Sequence, residues 1–147
     1  MPEQETIECA REDEREGKSP STQAGEFVRE EMEHIRERKH GARSTKQAIA
    51  IGLSKARRAG VKLPPPKRGS ARTKKQAARD SRKAGSRRKP SPKRSRTVRK
   101  ALKREPRRAA SHRALSRQAH SAARRRTKAS RSRAAKKAAR TRKRSTN

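Results

Sequence analysis

The segment STKQAIAIGLSKARRAG, Ser44 to Gly60, places Ile49, Ile51 and Leu53 within five residues of one another, and almost nothing else in the chain is as apolar. This scarcity of large apolar side chains limits what can fold, because ordering a residue costs roughly 1 to 2 kcal/mol that burial has to offset. Of 147 residues 41% are charged and 26% hydrophobic, Phe27 is the single aromatic, and the net charge is +33. Only a small core is affordable on that composition, and low hydrophobicity with high net charge predicts disorder over the remainder. The expected fold class is mostly α with extensive disorder: a small antiparallel helical hairpin followed by a long basic low-complexity tail, itself partly helical.

The helical signals concentrate in residues 19–62. Ser19 or Thr22 suits an N-cap and Pro20 the first helical position, and Ala24, Phe27, Val28, Met32 and Ile35 recur at helical spacing. Glu26, Glu30, Glu31 and Glu33 favour the early turns, and Arg36, Arg38 and Lys39 the last turn, ahead of Gly41. The carboxylates of this helix read as a solvated face. In the second helix Ser44 and Gln47 have the spacing of a capping box. Ala48, Ile49, Gly52, Leu53, Ala56 and Ala59 form its apolar face, with Ile51 at the margin. Gly60 suits the left-handed position after the helix, with Val61 closing back onto it. A unit of about 40 residues lies near the lower limit for folding alone, so a homodimer through the hairpin is one expected way to complete the core.

Charge divides the chain more sharply than hydropathy does. Residues 1–40 hold 12 acidic and 7 basic side chains, whereas residues 41–147 hold 40 basic ones against only Asp80 and Glu105. Residues 1–18 lack an apolar period and are expected to be an acidic disordered arm. Residues 63–70, containing LPPP, read as a stiff Pro-rich linker that ends the ordered part. Residues 71–147 form the Lys-, Arg-, Ala- and Ser-rich tail, with high helix propensity from Arg107 onward opposed by self-repulsion.

Such a tail releases condensed counterions from any polyphosphate it neutralises, so nucleic acid is the expected partner. At one phosphate per about 1.7 Å of duplex, the 38 excess charges of residues 41–147 match roughly 65 Å, about 19 base pairs. The residues expected to contact phosphates are Arg72, Lys74, Lys75, Arg87, Arg88, Lys89, Lys93, Arg94, Arg124, Arg125, Arg126, Lys136 and Lys137. Single-strand binders stack bases on aromatic rings, which the tail lacks, and this favours duplex DNA over RNA. The function expected is therefore a sequence-tolerant, histone-like DNA-binding protein. The alternatives are a protein-interaction hairpin with a localising tail, or an RNA- or ribosome-associated protein.

Catalysis is not expected. His34, His40, His112 and His120 are scattered without carboxylate or cysteine partners at ligand spacing, no glycine-rich phosphate loop occurs, and no metal or other cofactor is called for. Cys9 reads as an ordinary free thiol suited to a reducing compartment. The start of the chain is acidic where a secretory signal is basic then apolar, and no run is long enough to span a bilayer. A soluble cytoplasmic protein without membrane partners is expected.

Two resemblances sharpen these expectations. The run EGKSPSTQAGEFVREEMEHIRERKHGARSTKQAIAIGLSKARRAGVKLPPPKRG, about residues 16–69, resembles a family of small basic bacterial proteins of unknown function marked by a KQAIAIGLSKARRAG helix and a Pro- and Lys-rich exit. The resemblance implies a bacterial, nucleoid-associated setting and brings no catalytic residue. The tail is similar in composition to linker-histone tails. Its SPKR, Ser91 to Arg94, resembles their Ser-Pro-basic units, which present basic side chains to the minor groove.

Overall fold

Local sequence sets the helix ends before packing sets their arrangement. In the computed structural model, which describes residues 2–86, 89 and 91–145, helix α1 spans Gln4–Arg15. It closes at Gly17, whose φ is +72°, and the N–H of Lys18 returns to the Asp13 carbonyl at 2.8 Å. Helix α2, Pro20–Arg36, starts after Ser19 with proline in its first turn, where the missing N–H has no intrahelical partner to lose. Helix α3, Thr45–Arg58, is capped by Ser44 Oγ, which accepts from the Gln47 N–H at 3.2 Å. Gln47 reciprocates one residue early, accepting from the Arg43 N–H at 2.7 Å rather than from that of Ser44. At the far end Gly60 has φ +104°, and the N–H groups of Val61 and Gly60 bond the Ala56 and Arg57 carbonyls, both at 3.1 Å. These are the two bonds of a Schellman cap. Helices α4 (Ala71–Arg82) and α5 (Pro92–Arg104), a 3-10 turn (Arg107–Ala110), α6 (His112–Arg124) and α7 (Lys128–Ser145) follow, and no strand occurs among the described residues.

The expected extensive disorder is therefore incorrect, and the hairpin is only part of the folded core. Residues 1–18, read as a disordered arm, supply α1, whose Ala10 and Ile7 share a core with Ala24, Phe27, Leu53, Ala56, Val61 and Leu63. Small residues compensate for the lack of large ones by letting backbones approach. A Cβ on Gly52 would stand 2.7 Å from Val28 Cα, so α2 and α3 meet there in a way that only glycine allows. Ala24, Ala48 and Ala56 are fully buried on the same surfaces, as are Phe27 and Ile35.

The proline segment does not end the ordered part. Val61 and Leu63 pack against the core, and the buried Arg57 guanidinium donates to the carbonyls of Leu63 and Pro64 at 3.3 and 3.2 Å. Beyond it, α4 docks on α3 through its one acidic residue. Asp80 is 1% exposed; its Oδ1 accepts from Arg58 at 3.0 and 2.9 Å and from Gln76 at 3.1 Å, and its Oδ2 from Ser54 at 2.8 Å.

The chain returns once more to the hairpin. The α2–α3 loop is held by the last turn of α5 and the segment after it: Gly41 N–H donates to the Leu102 carbonyl at 2.9 Å and Ala42 N–H to that of Pro106 at 3.1 Å. Thr45 Oγ1 donates to the Ala109 carbonyl at 2.7 Å and Arg36 Nε to that of Ala110 at 3.0 Å. Gly41, expected to terminate the first helix of the hairpin, instead admits this backbone, since a Cβ there would overlap the Glu105 carbonyl. That helix ends earlier, at Arg36, with Arg38 in the left-handed region at φ +67°.

The chain divides into two units, Met1–Ser111 and His112–Asn147. The first contains all the packing just described. The second consists of α6 and α7, and none of its described side chains is buried.

Candidate nucleic-acid interface

The face of each basic helix follows from what little it can bury. In α4, capped by Ser70 Oγ on the Thr73 N–H at 3.2 Å, Ala77 and Asp80 point inward and leave Arg72, Lys74 and Lys75 exposed in the first turns. Helix α5 buries nothing and carries seven Lys and Arg among 13 residues. The SPKR stretch forms its start, with Ser91 as N-cap and Pro92 in the first turn, so Lys93 and Arg94 project from a helix N-terminus. Cations there oppose the helix dipole, and an anion relieves both.

Of the thirteen residues expected from sequence to contact phosphates, Arg87 and Arg88 lie outside the described residues. The other eleven are all exposed: Arg72, Lys74, Lys75, Lys89, Lys93 and Arg94 in the first unit, and Arg124, Arg125, Arg126, Lys136 and Lys137 in the second. Arg124 ends α6, Arg125 and Arg126 occupy the break before α7, and Lys136 and Lys137 lie in mid-α7. Along α7, Arg133 with Lys137 and Lys136 with Arg140 stand four residues apart, a like-charge spacing that weakens a helix until counterions intervene. Sequence reasoning passed over Arg96, Arg99, Lys100, Lys103 and Arg104 of α5, all exposed. Their signal was plain charge density. Conversely, Arg57 and Arg58 are spent on internal contacts and are not part of this surface.

Two expectations about the acidic half need correction. Glu30 and Glu31 of α2 are not on a solvated face; they are 4% and 0% exposed and are reached by Lys55 Nζ at 3.0 and 2.8 Å. Burial alone would raise the Glu30 carboxyl, but Lys55, Thr6 and the Glu3 N–H outweigh it and hold it below the ordinary carboxylate range. Burial likewise works against the Lys55 charge, yet Glu31 and Glu30 prevail and move that ammonium upward. Nor are the histidines all scattered: one donor atom each of Glu31, His34 and His40 lies within 4.8 Å of the others. The Glu31-x-x-His34 spacing was the available signal, and His40 joins only through the turn at Arg38.

Over residues 20–68 the chain is similar to a family of unknown function (DUF6496). No curated protein and no solved structure matches it. The matched stretch comprises α2, α3 and the proline segment; α4 to α7 lie beyond it. Among the described residues no helix is long and apolar enough to cross a membrane.

Proposed function

We propose that the protein binds duplex DNA with little sequence preference, through phosphate contacts from the exposed basic side chains of α4 to α7. The second unit carries this reading: its 36 residues contain 14 Lys and Arg and no Asp or Glu, and none of its described side chains is buried. Charge of this density makes counterion release the dominant source of affinity. A duplex is favoured over a single strand because Phe27, the only Phe, Tyr or Trp, is fully buried, which leaves the second unit only the imidazoles of His112 and His120 on which to stack bases. A histone-like role in a bacterial nucleoid agrees with this chemistry.

Fluorescence anisotropy with two duplexes of unrelated sequence and a single strand of equal length tests the reading. Equal affinities for the duplexes, both above that for the single strand, are expected. A preference for single-stranded RNA, or strong discrimination between the duplexes, would refute it.

A further inference from the structure

The buried carboxylates of α2 are under-compensated. Glu30 and Glu31 share one ammonium, that of Lys55, which is an ion-pair partner to both. Glu31 is fully buried, yet neither of its oxygens has an aligned hydrogen-bond partner. Two histidines flank this site, with side chains only 12% and 15% exposed.

For neutral imidazoles the shorter of each ring's two contacts, both to oxygens that can only accept, sets the tautomer. His34 Nε2 lies 2.8 Å from Glu3 Oε1, so this nitrogen carries the proton and Nδ1 keeps its lone pair, 3.8 Å from Glu30 Oε1. His40 Nδ1 lies 3.1 Å from the Gly41 carbonyl, so it donates there and Nε2 keeps its lone pair, 3.3 Å from Glu31 Oε1. A lone pair on nitrogen thus faces an unpartnered carboxylate oxygen at 3.3 Å, without hydrogen-bond alignment. For a neutral ring that contact is repulsive unless a proton or a metal cation sits between the two. The separation is close to the roughly 3.4 Å between donors in a tetrahedron with metal–ligand bonds of about 2.0 to 2.2 Å.

We infer that Glu31, His34 and His40 form a binding site for a divalent transition metal of the zinc class, held by two imidazole nitrogens and one carboxylate oxygen. This donor set suits zinc and its neighbours rather than calcium or magnesium, which favour all-oxygen shells. The surrounding groups have the form of an outer layer. Glu3 orients His34 as carboxylates orient metal-bound histidines, the Gly41 carbonyl does so for His40, and Lys55 holds the second Glu31 oxygen. Three protein donors leave a fourth position for water. His34 also lines a groove in which Glu3 and Glu37 pair with Lys39, and Glu26 and Glu33 with Arg29. The left-handed Arg38 acquires a purpose as well, since it reverses the chain and brings His40 back to Glu31. The ion staples α2 to its own C-terminal loop and, through Glu3, to the start of α1, as metals commonly do in units with thin cores.

The test uses the full-length protein, stripped of metal and titrated with Co²⁺ and then Zn²⁺. One Co²⁺ per chain should bind with the visible absorption of a low-coordinate nitrogen–oxygen site, and Zn²⁺ should displace it and raise the melting temperature. His34→Ala and His40→Gln should each weaken binding by about 100-fold or more, and Glu3→Gln by about 10-fold. The double variant His112→Ala/His120→Ala, remote from these donors in sequence, should bind as the parent does. Absence of the Co²⁺ band in the parent would overturn the site. So would parental affinity in a His40→Gln variant with unchanged circular dichroism, or loss of binding confined to the His112/His120 variant.

Discussion

Gly52 and Arg38 show how single positions shape a protein with so little apolar mass. Gly52→Ala forces a methyl against Val28 Cα at 2.7 Å and should destabilise the first unit by about 1 to 3 kcal/mol, the usual range for overpacking, read as a lower urea midpoint. Arg38→Gly should act in the opposite direction, gaining about 1 kcal/mol in the same measurement, because glycine adopts φ +67° without the penalty of a Cβ. Removing Lys55 is the most severe change at this scale. Lys55→Met leaves Glu30 and Glu31 buried without their shared cation and should cost about 3 to 5 kcal/mol. None of the three effects is visible in composition. Gly52 reads in sequence only as a small residue on an apolar face, and the partners of Lys55 lie 24 and 25 positions away. The Ser44 cap and the Gly60 turn, by contrast, are legible because their bonds close within a few residues.

At the level of elements, legibility followed contact distance along the chain. Helices α2 and α3 announce themselves through period, caps and terminal charges. Helix α1 does not: Ile7 and Ala10 are too few to show a period, and its order comes from packing on α2 and α3. Deleting residues 1–18 therefore removes part of the core as well as an acidic segment, and should lower the melting temperature of the remaining chain. Helix α4 illustrates the same point in polar terms. Asp80 looks like a stray acid in a basic tail, yet it receives Arg58, Ser54 and Gln76 together and fixes α4 on α3. Asp80→Ala should cost about 2 kcal/mol, since bonds to a buried charge are lost while the half-exposed Arg58 regains water. Hydrogen exchange over residues 71–82 should accelerate in that variant while α2 remains protected. The bonds from residues 102–110 to the α2–α3 loop span more than sixty positions, and nothing local signals them.

For the whole molecule, the distribution of charge remains the feature from which function is best argued. Composition suggested that a chain with so many cations could not fold beyond a hairpin. The correction has a physical basis: alanine and glycine bury backbone-rich surfaces closely, and carboxylates buried between helices receive cations from the neighbouring one, as Asp80 does from Arg58 and Glu30 and Glu31 from Lys55. The remaining Lys and Arg are left on the surface of helices, above all in α5 and in the second unit. The most direct measurement is the affinity of the full chain for a random-sequence duplex between 50 and 200 mM salt. If α5 alone engages its seven cations, the logarithm of affinity should fall with the logarithm of salt at a slope of about −6 or steeper, a loss of about 1,000-fold or more across that range. An affinity that stays constant from 50 to 200 mM would contradict phosphate binding by these helices.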